Sequence, residues 1–293
     1  MTATTSPPTG PTPGVAVPTT LAAALAALAG QPGAQPVAGG TDLMVEVNAG
    51  HRRPPAVVAL RRCTELAGHG PVADGYRIGA GVTYARFAEP AIAGRYPALA
   101  AAARTVGSPQ IRNAGTIGGN VGTGSPAGDT LPVLAALDAR IELQSASAPT
   151  RVLPWDEFFL GPKRTARRPD ELITAVLLPT VDGPQDYLKV GTRNAMVIAV
   201  ASVALVVDRL TRTVRVGLGS VGPVPLRAPE AEAFAAAHLD WGTLTVPDPR
   251  TYETFGAMVA AAARPIDDHR STAAYRRHAV GVMARRALMR MVP

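Results

Sequence analysis

The first apolar run, Leu21–Ala29, is built of leucine and alanine; Thr19 or Thr20 can cap it and Gly30 can close it, which predicts a helix. Ala56–Leu60 is a short unbroken apolar stretch and predicts a buried strand. Tyr76–Ala80 alternates into Gly81 and predicts another strand. An alanine-rich helix is predicted over Pro97–Val106, ending near Gly107. The glycine-dense segment from Gly115 to Gly128 reads as a loop. Beyond it come a helix over Leu131–Leu137, a strand over Ala139–Leu143 and a turn or short helix over Trp155–Phe159. A strand over Glu171–Leu178 is ended by Pro179.

The Pro179–Asp186 stretch, rich in proline and acidic residues, is the best domain boundary. After it the pattern changes. Tyr187–Gly191, Val197–Val207 and Val214–Leu218 predict three antiparallel strands. Helical spacing follows over about 228–238, 251–263 and 271–290, the last with Ser271 as its cap. Strands followed by helices define an α+β unit. The expected division is a tail over 1–14, a first domain over 15–182 with parts at about 15–70 and 71–182, and a second domain over 183–293.

Composition narrows the function classes. The chain has 293 residues, of which 47% are apolar, enough for a substantial core. Its 29 glycines and 28 prolines favour turns and tight backbone sites over a helical bundle. The single cysteine, Cys63, excludes a disulfide framework, a zinc cluster or an iron–sulfur site within the chain, and points to a cytoplasmic home. The net charge is +7, with arginines in scattered pairs such as Arg52–Arg53, Arg61–Arg62 and Arg167–Arg168. No basic run carries interleaved aromatics, so no nucleic-acid partner is expected. The longest apolar stretch, Val197–Val207, is too short to span a membrane. The first 14 residues read as a flexible tail without the apolar segment of a signal peptide.

Two glycine loops carry the candidate chemistry. In Ala38-Gly39-Gly40-Thr41-Asp42, adjacent glycines let backbone N–H groups crowd onto an anion, and Thr41 adds a hydroxyl. The segment from Gly115 and Thr116 to Gly118, Gly119 and Asn120 is a second exposed-backbone loop, continuing to Asp129. Two such loops can clamp a pyrophosphate from both sides, and a carboxylate such as Asp129 suits ribose hydroxyls. Gly217–Gly222 matches the GxGxxG string, but Pro223 and Pro225 prevent the helix that motif needs, so it reads as a strand end. None of His51, His69, His238, His269 and His278 sits at metal-ligand spacing. Lys189 stands out because the chain has only one other lysine, Lys163.

With these loops in view, the chain resembles the FAD-binding medium subunit of the molybdenum hydroxylase family. Xanthine dehydrogenase and carbon monoxide dehydrogenase belong to that family. The resemblance spans about residues 15–290 and rests on seven pieces in order. The strongest are Val37–Leu43 and Gly107–Asn120; the others are Ser125–Asp129, Pro169–Ile173, Lys189–Arg193, Pro265–Arg270 and Tyr275–Arg277. It implies an α+β chain in which FAD lies between two subdomains of an N-terminal unit, of the kind shared with vanillyl-alcohol oxidase. A three-stranded antiparallel sheet packed on helices would follow.

The resemblance also implies roles. The backbone of Val37, Ala38, Gly39, Gly40, Thr41 and Asp42 would wrap the pyrophosphate. Thr116, Gly119 and Asn120 would close its second side, with Gly118 allowing close approach. Asp129 would meet the adenosine ribose. Ile173 and Val106 would lie at the isoalloxazine, and Lys189 at its pyrimidine edge. FAD would be held non-covalently. Molybdenum cofactor and iron–sulfur clusters would belong to a large and a small partner subunit, in a dimer of heterotrimers that delivers electrons to a soluble acceptor. The alternative is a stand-alone flavoenzyme of the vanillyl-alcohol oxidase type.

Overall fold

The computed structural model describes residues 14–293; most of the expected tail, residues 1–13, lies outside them. Gly14 itself is not tail. It opens strand β1 (Gly14–Ala16), which pairs in parallel with β3 (Ala56–Ala59), and β3 pairs in parallel with β2 (Gln35–Val37). The helix Leu21–Ala29 crosses between β1 and β2. Thr20 caps it by accepting from the Ala23 N–H at 3.2 Å, and Gly30 ends it. Its Ala24, Leu25 and Leu28 are buried with Ala56 and Val58 of β3. Burial of each leucine contributes about 1.5–3 kcal/mol, which compensates for a sheet only three strands wide.

A second sheet is wholly antiparallel, in the order β4-β5-β10-β6-β7. Its strands are β4 (His69–Val72), β5 (Gly75–Gly79), β6 (Arg140–Gln144) and β7 (Arg151–Pro154). The short ribbon β8 (Phe159–Gly161) and β9 (Arg164–Thr165) then precedes the central strand β10 (Leu172–Leu178). Leu172, at the start of β10, also joins the core of the first sheet, so the two units share a buried seam.

The glycine-dense segment is not all loop. Residues Ile117–Thr123 form a helix despite three glycines. Each glycine disfavours a helix by about 1 kcal/mol against alanine, and two local devices oppose that cost. Thr116 caps the helix by accepting from the Gly119 N–H at 3.0 Å, and Gly124 closes it in the left-handed region at φ 56°. Gly118 packs the helix onto β5's end, where a Cβ would stand 2.5 Å from that of Ala80.

The C-terminal part is a four-stranded antiparallel sheet, not a three-stranded one. Strands β11 (Gln185–Val190), β12 (Ala201–Asp208) and β13 (Thr213–Gly219) gain a two-residue edge, β14 (Leu226–Arg227). Strand β12 is buried along its whole length and alternates faces. Ala201, Val203, Leu205 and Val207 face one core with the helices Pro229–His238, Arg250–Ala262 and Ala273–Met291. Ala204 and Val206 belong instead to the core of the N-terminal part. The last helix is capped by Thr272, which accepts from the Tyr275 N–H at 3.2 Å, rather than by Ser271.

The GxGxxG string does end a strand. Gly217 and Gly219 close β13, and a Cβ on Gly217 would collide with the Pro132 carbonyl oxygen of the Leu131–Ala136 helix. These glycines admit a helix against the sheet rather than opening a loop and helix of their own.

Candidate cofactor site

The two glycine loops meet. A Cβ on Gly39 would collide with the Ala114 carbonyl and lie 2.9 Å from Gly115 Cα, so only glycine permits the contact. Gly40 takes φ 70°, which turns the chain from β2 into the helix Leu43–Asn48. Thr123 Oγ1 donates to Asp42 Oδ2 at 3.0 Å and ties the loops again at their far end. Between them opens a cavity of about 550 Å³, within the usual size of a cofactor pocket.

Every position from Val37 to Asp42 lines that cavity, as do Thr116, Gly118, Gly119, Asn120 and Ile173. Among the described residues, the N–H groups of Gly39, Gly40, Thr41 and Asp42 find no acceptor in the chain. Successive free N–H groups around a left-handed turn form an anion-binding concavity. The second loop differs. The N–H groups of Ile117 and Gly118 donate to Val82 and Ala80 carbonyls, and that of Gly119 to the Thr116 hydroxyl. Asn120 Oδ1 accepts from the Thr130 hydroxyl. This side supplies shape and side chains, while the first loop supplies the free donors.

Val106, Asp129 and Lys189 do not line the cavity. Val106 follows the Pro97–Thr105 helix and packs against the N-terminal core. Lys189 Nζ stands 2.7 Å from Asp129 Oδ2, and the Tyr187 hydroxyl donates to Asp129 Oδ1 at 3.1 Å. Lys189 also donates to the Thr105 carbonyl at 3.2 Å. Burial holds the Asp129 carboxyl above its usual range, and Lys189 and Tyr187 offset only part of that.

Sequence reasoning missed most of the charge. Arg52, Arg61, Arg86, Lys163 and Arg167 line the cavity against two carboxylates, Asp42 and Glu46. Three of these cations come from the arginine pairs that looked scattered along the chain. The signal lay in their positions, just before and after β3 and just after β9. The β8–β9 ribbon carries Lys163 across the mouth to Glu46 Oε1 at 2.8 Å. That pair and Arg52 hold the Glu46 carboxyl below its usual range. Cys63 also lies on the lining; burial and then the Glu65 carboxylate push its thiol up, which makes it a poor nucleophile.

A cationic cleft with free backbone N–H groups at a glycine turn, lined from both the parallel and the antiparallel unit, suits a phosphorylated nucleotide cofactor. The donor set fits FAD. Its pyrophosphate suits the Gly39–Asp42 turn and the arginines, and its apolar ring suits Ile173, Leu172 and Leu66.

Comparison with known proteins agrees. The pattern of the FAD binding domain in molybdopterin dehydrogenase matches residues 11–181, and that of the CO dehydrogenase flavoprotein C-terminal domain matches 186–291. The chain belongs to this family of FAD-binding medium subunits, and is an oxidoreductase flavin subunit. It is 32% identical to the glyceraldehyde dehydrogenase medium chain of Sulfolobus acidocaldarius, over 90% of this chain and 92% of the relative. It is 30% identical to the carbon monoxide dehydrogenase medium chain of Afipia carboxidovorans, over 88% of each. The solved carbon monoxide dehydrogenase of Hydrogenophaga pseudoflava superposes with a TM-score of 0.85 at 27% identity, over 97% of this chain and 98% of that one. Among the described residues, no helix is long and apolar enough to cross a membrane.

Proposed function

We propose that this chain holds FAD non-covalently, takes electrons from iron–sulfur clusters on a small subunit, and passes them to an external acceptor. A large subunit with the molybdenum cofactor would oxidise the substrate. The observation that carries this reading is the Gly39–Asp42 turn of free N–H groups facing a cationic cavity. It stands in a chain that matches medium subunits over nearly its full length. FAD supplies reversible two-electron and one-electron chemistry when bound. The chain's own part is to bind, orient and shelter it.

In this reading residues 15–182 carry the cofactor, and 183–293 form a second domain packed against them. The Val37–Asp42 backbone cradles the pyrophosphate. Thr116, Gly119 and Asn120 bound its second side, and Gly118 allows close approach there by seating their helix against Ala80. Ile173 packs on the ring. Asp129 and Lys189 act as a joint between the two parts of the chain, holding β11 to the segment after the second loop. The single cysteine supports the division of labour, because this chain has no ligand set for a cluster.

The test is an absorbance spectrum of the purified chain with and without added FAD, followed by heat release and identification of the ligand. A flavin spectrum with FAD released on denaturation supports the reading. A folded chain that takes up no FAD in excess sinks it. Co-purification with co-expressed small and large subunits tests the assembly, expected as a dimer of heterotrimers.

A further inference from the structure

The helix Leu43–Asn48 buries none of its residues, although Leu43, Met44, Val45 and Val47 are apolar. Val45 is 67% exposed and Met44 48%. A surface helix ordinarily turns its apolar stripe into the core; this one turns two such side chains to solvent. Met44 also lies over the pyrophosphate turn, since a Cβ on Gly40 would stand 3.3 Å from its Cγ. The β8–β9 ribbon adds Leu160, 56% exposed between the buried Phe159 and Gly161. Lys163, in the turn of that ribbon, meets Glu46 of the helix at 2.8 Å. Helix and ribbon therefore form one face at the cavity mouth.

Cations surround this apolar centre. Segments 42–53 and 159–165 carry Arg52, Arg53, Lys163 and Arg164 against Asp42 and Glu46. Both carboxylates are engaged. The Thr123 hydroxyl donates to Asp42 at 3.0 Å, and Glu46 meets Lys163 and Arg52. Arg53 and Arg164 are exposed, and among the described residues neither pairs with a carboxylate.

Exposed apolar side chains within a charged rim have the anatomy of a protein interface. The sign of the rim calls for carboxylates opposite it. A second copy of this chain would bring the same cations to the face and be repelled. A cluster passes electrons to a flavin only at short range, so the subunit that delivers them has to cover the opening of the cavity. Charge and position together select one occupant.

Resting on the electron-transfer reading above, we propose that the helix Leu43–Asn48 and the β8–β9 ribbon are the docking face for the iron–sulfur subunit, which meets them with an apolar centre ringed by carboxylates.

The experiment measures binding of the FAD-loaded full chain to the iron–sulfur subunit of the same complex, purified with its clusters, by biolayer interferometry. Val45→Glu sets a carboxylate in the apolar centre, and Arg164→Glu reverses a rim charge. Leu210→Glu is the control, an exposed leucine on the β12–β13 turn. Neither Val45 nor Arg164 lines the cavity, so FAD affinity and melting temperature should match the parent. Val45→Glu should bind the subunit about tenfold or more weakly. Arg164→Glu should associate about threefold more slowly at low salt and converge with the parent at about 1 M. Leu210→Glu should behave as the parent.

Equal binding by all four proteins overturns the assignment, and so does an equal loss in Leu210→Glu. It also falls if Val45→Glu keeps the iron–sulfur subunit but loses the molybdenum subunit, self-association or binding to phosphatidylglycerol vesicles. Should a variant lose FAD or its fold, hydrogen exchange on the unmutated chain decides. Residues 43–48 and 159–164 must gain protection when the iron–sulfur subunit is added, and unchanged exchange there overturns the proposal. If the unmutated chain binds no iron–sulfur subunit, the electron-transfer reading fails as well; binding that the variants leave intact removes this face alone.

Discussion

Lys189 Nζ lies 2.7 Å from Asp129 Oδ2 with both side chains more than nine-tenths buried, and the pair joins β11 to the segment that follows the second glycine loop. Neither residue lines the cavity whose far wall that loop builds. The pair fixes how the C-terminal sheet meets the N-terminal part. Removing one partner strands a buried charge, which costs about 3–5 kcal/mol. Lys189→Met should therefore lower the urea midpoint sharply, and the double change with Asp129→Leu should recover much of the loss. Chemical denaturation of Lys189→Met, Asp129→Leu and the double variant checks this; a single variant as stable as the parent would refute it.

The contact of Gly39 with the Ala114 carbonyl has no room for a side chain. Gly39→Ala should push the two loops apart and reduce FAD affinity by at least tenfold. The helix content should be kept, because the contact lies outside the two main cores. Circular dichroism together with flavin titration separates loss of the site from loss of the fold.

Lys163 and Glu46 close the cavity mouth through a pair that is largely solvent-exposed on the lysine side. Exposed pairs contribute about 0.2–1 kcal/mol and weaken with salt. Lys163→Met should speed FAD dissociation by about two- to fivefold at low salt. The parent and variant should converge near 1 M salt. Stopped-flow displacement of bound FAD measures both.

Asp268 gives a pH signature to stability. Burial opposes its charge. The Arg270 N–H, the Arg276 guanidinium and the Ser271 N–H outweigh that and hold the carboxyl down to about 2, against an ordinary 3.8. The folded value is depressed, so its contribution is complete above about pH 4 and disappears as pH falls toward 2. Asp268→Asn should cost about 1.5–3 kcal/mol at pH 6 and little at pH 2. Urea unfolding at both pH values tests the sign; a loss that grows on acidification would contradict it.

Much of the local structure was legible because it depends on neighbours in sequence. Thr20, Leu25, Leu28 and Gly30 set a helix by cap, apolar face and stop, and it runs over Leu21–Ala29 as predicted. The apolar run Val197–Val207 predicted a buried strand, though it begins at Ala201 and not Val197. The helix Ile117–Thr123 was hidden by its own glycines, whose local preference opposes it. Packing of Gly118 on Ala80 and the Thr116 cap decide otherwise. Two-residue β14 carries too little pattern to be seen.

The sequence by itself determined the glycine turn at Gly39–Gly40, that Gly217–Gly222 ends a strand, and that one cysteine cannot by itself ligate an iron–sulfur cluster. Those properties follow from backbone freedom, proline geometry and ligand count. Tertiary structure alone decided which charges face the cavity. Arg52 and Arg61 lie about a hundred residues from Lys163 and Arg167, and the parallel crossovers and the β8–β9 ribbon bring all four to one cavity. It also turned Asp129 and Lys189 toward each other. A buried carboxylate takes the nearest cation, and which cation is nearest depends on how the sheets pack.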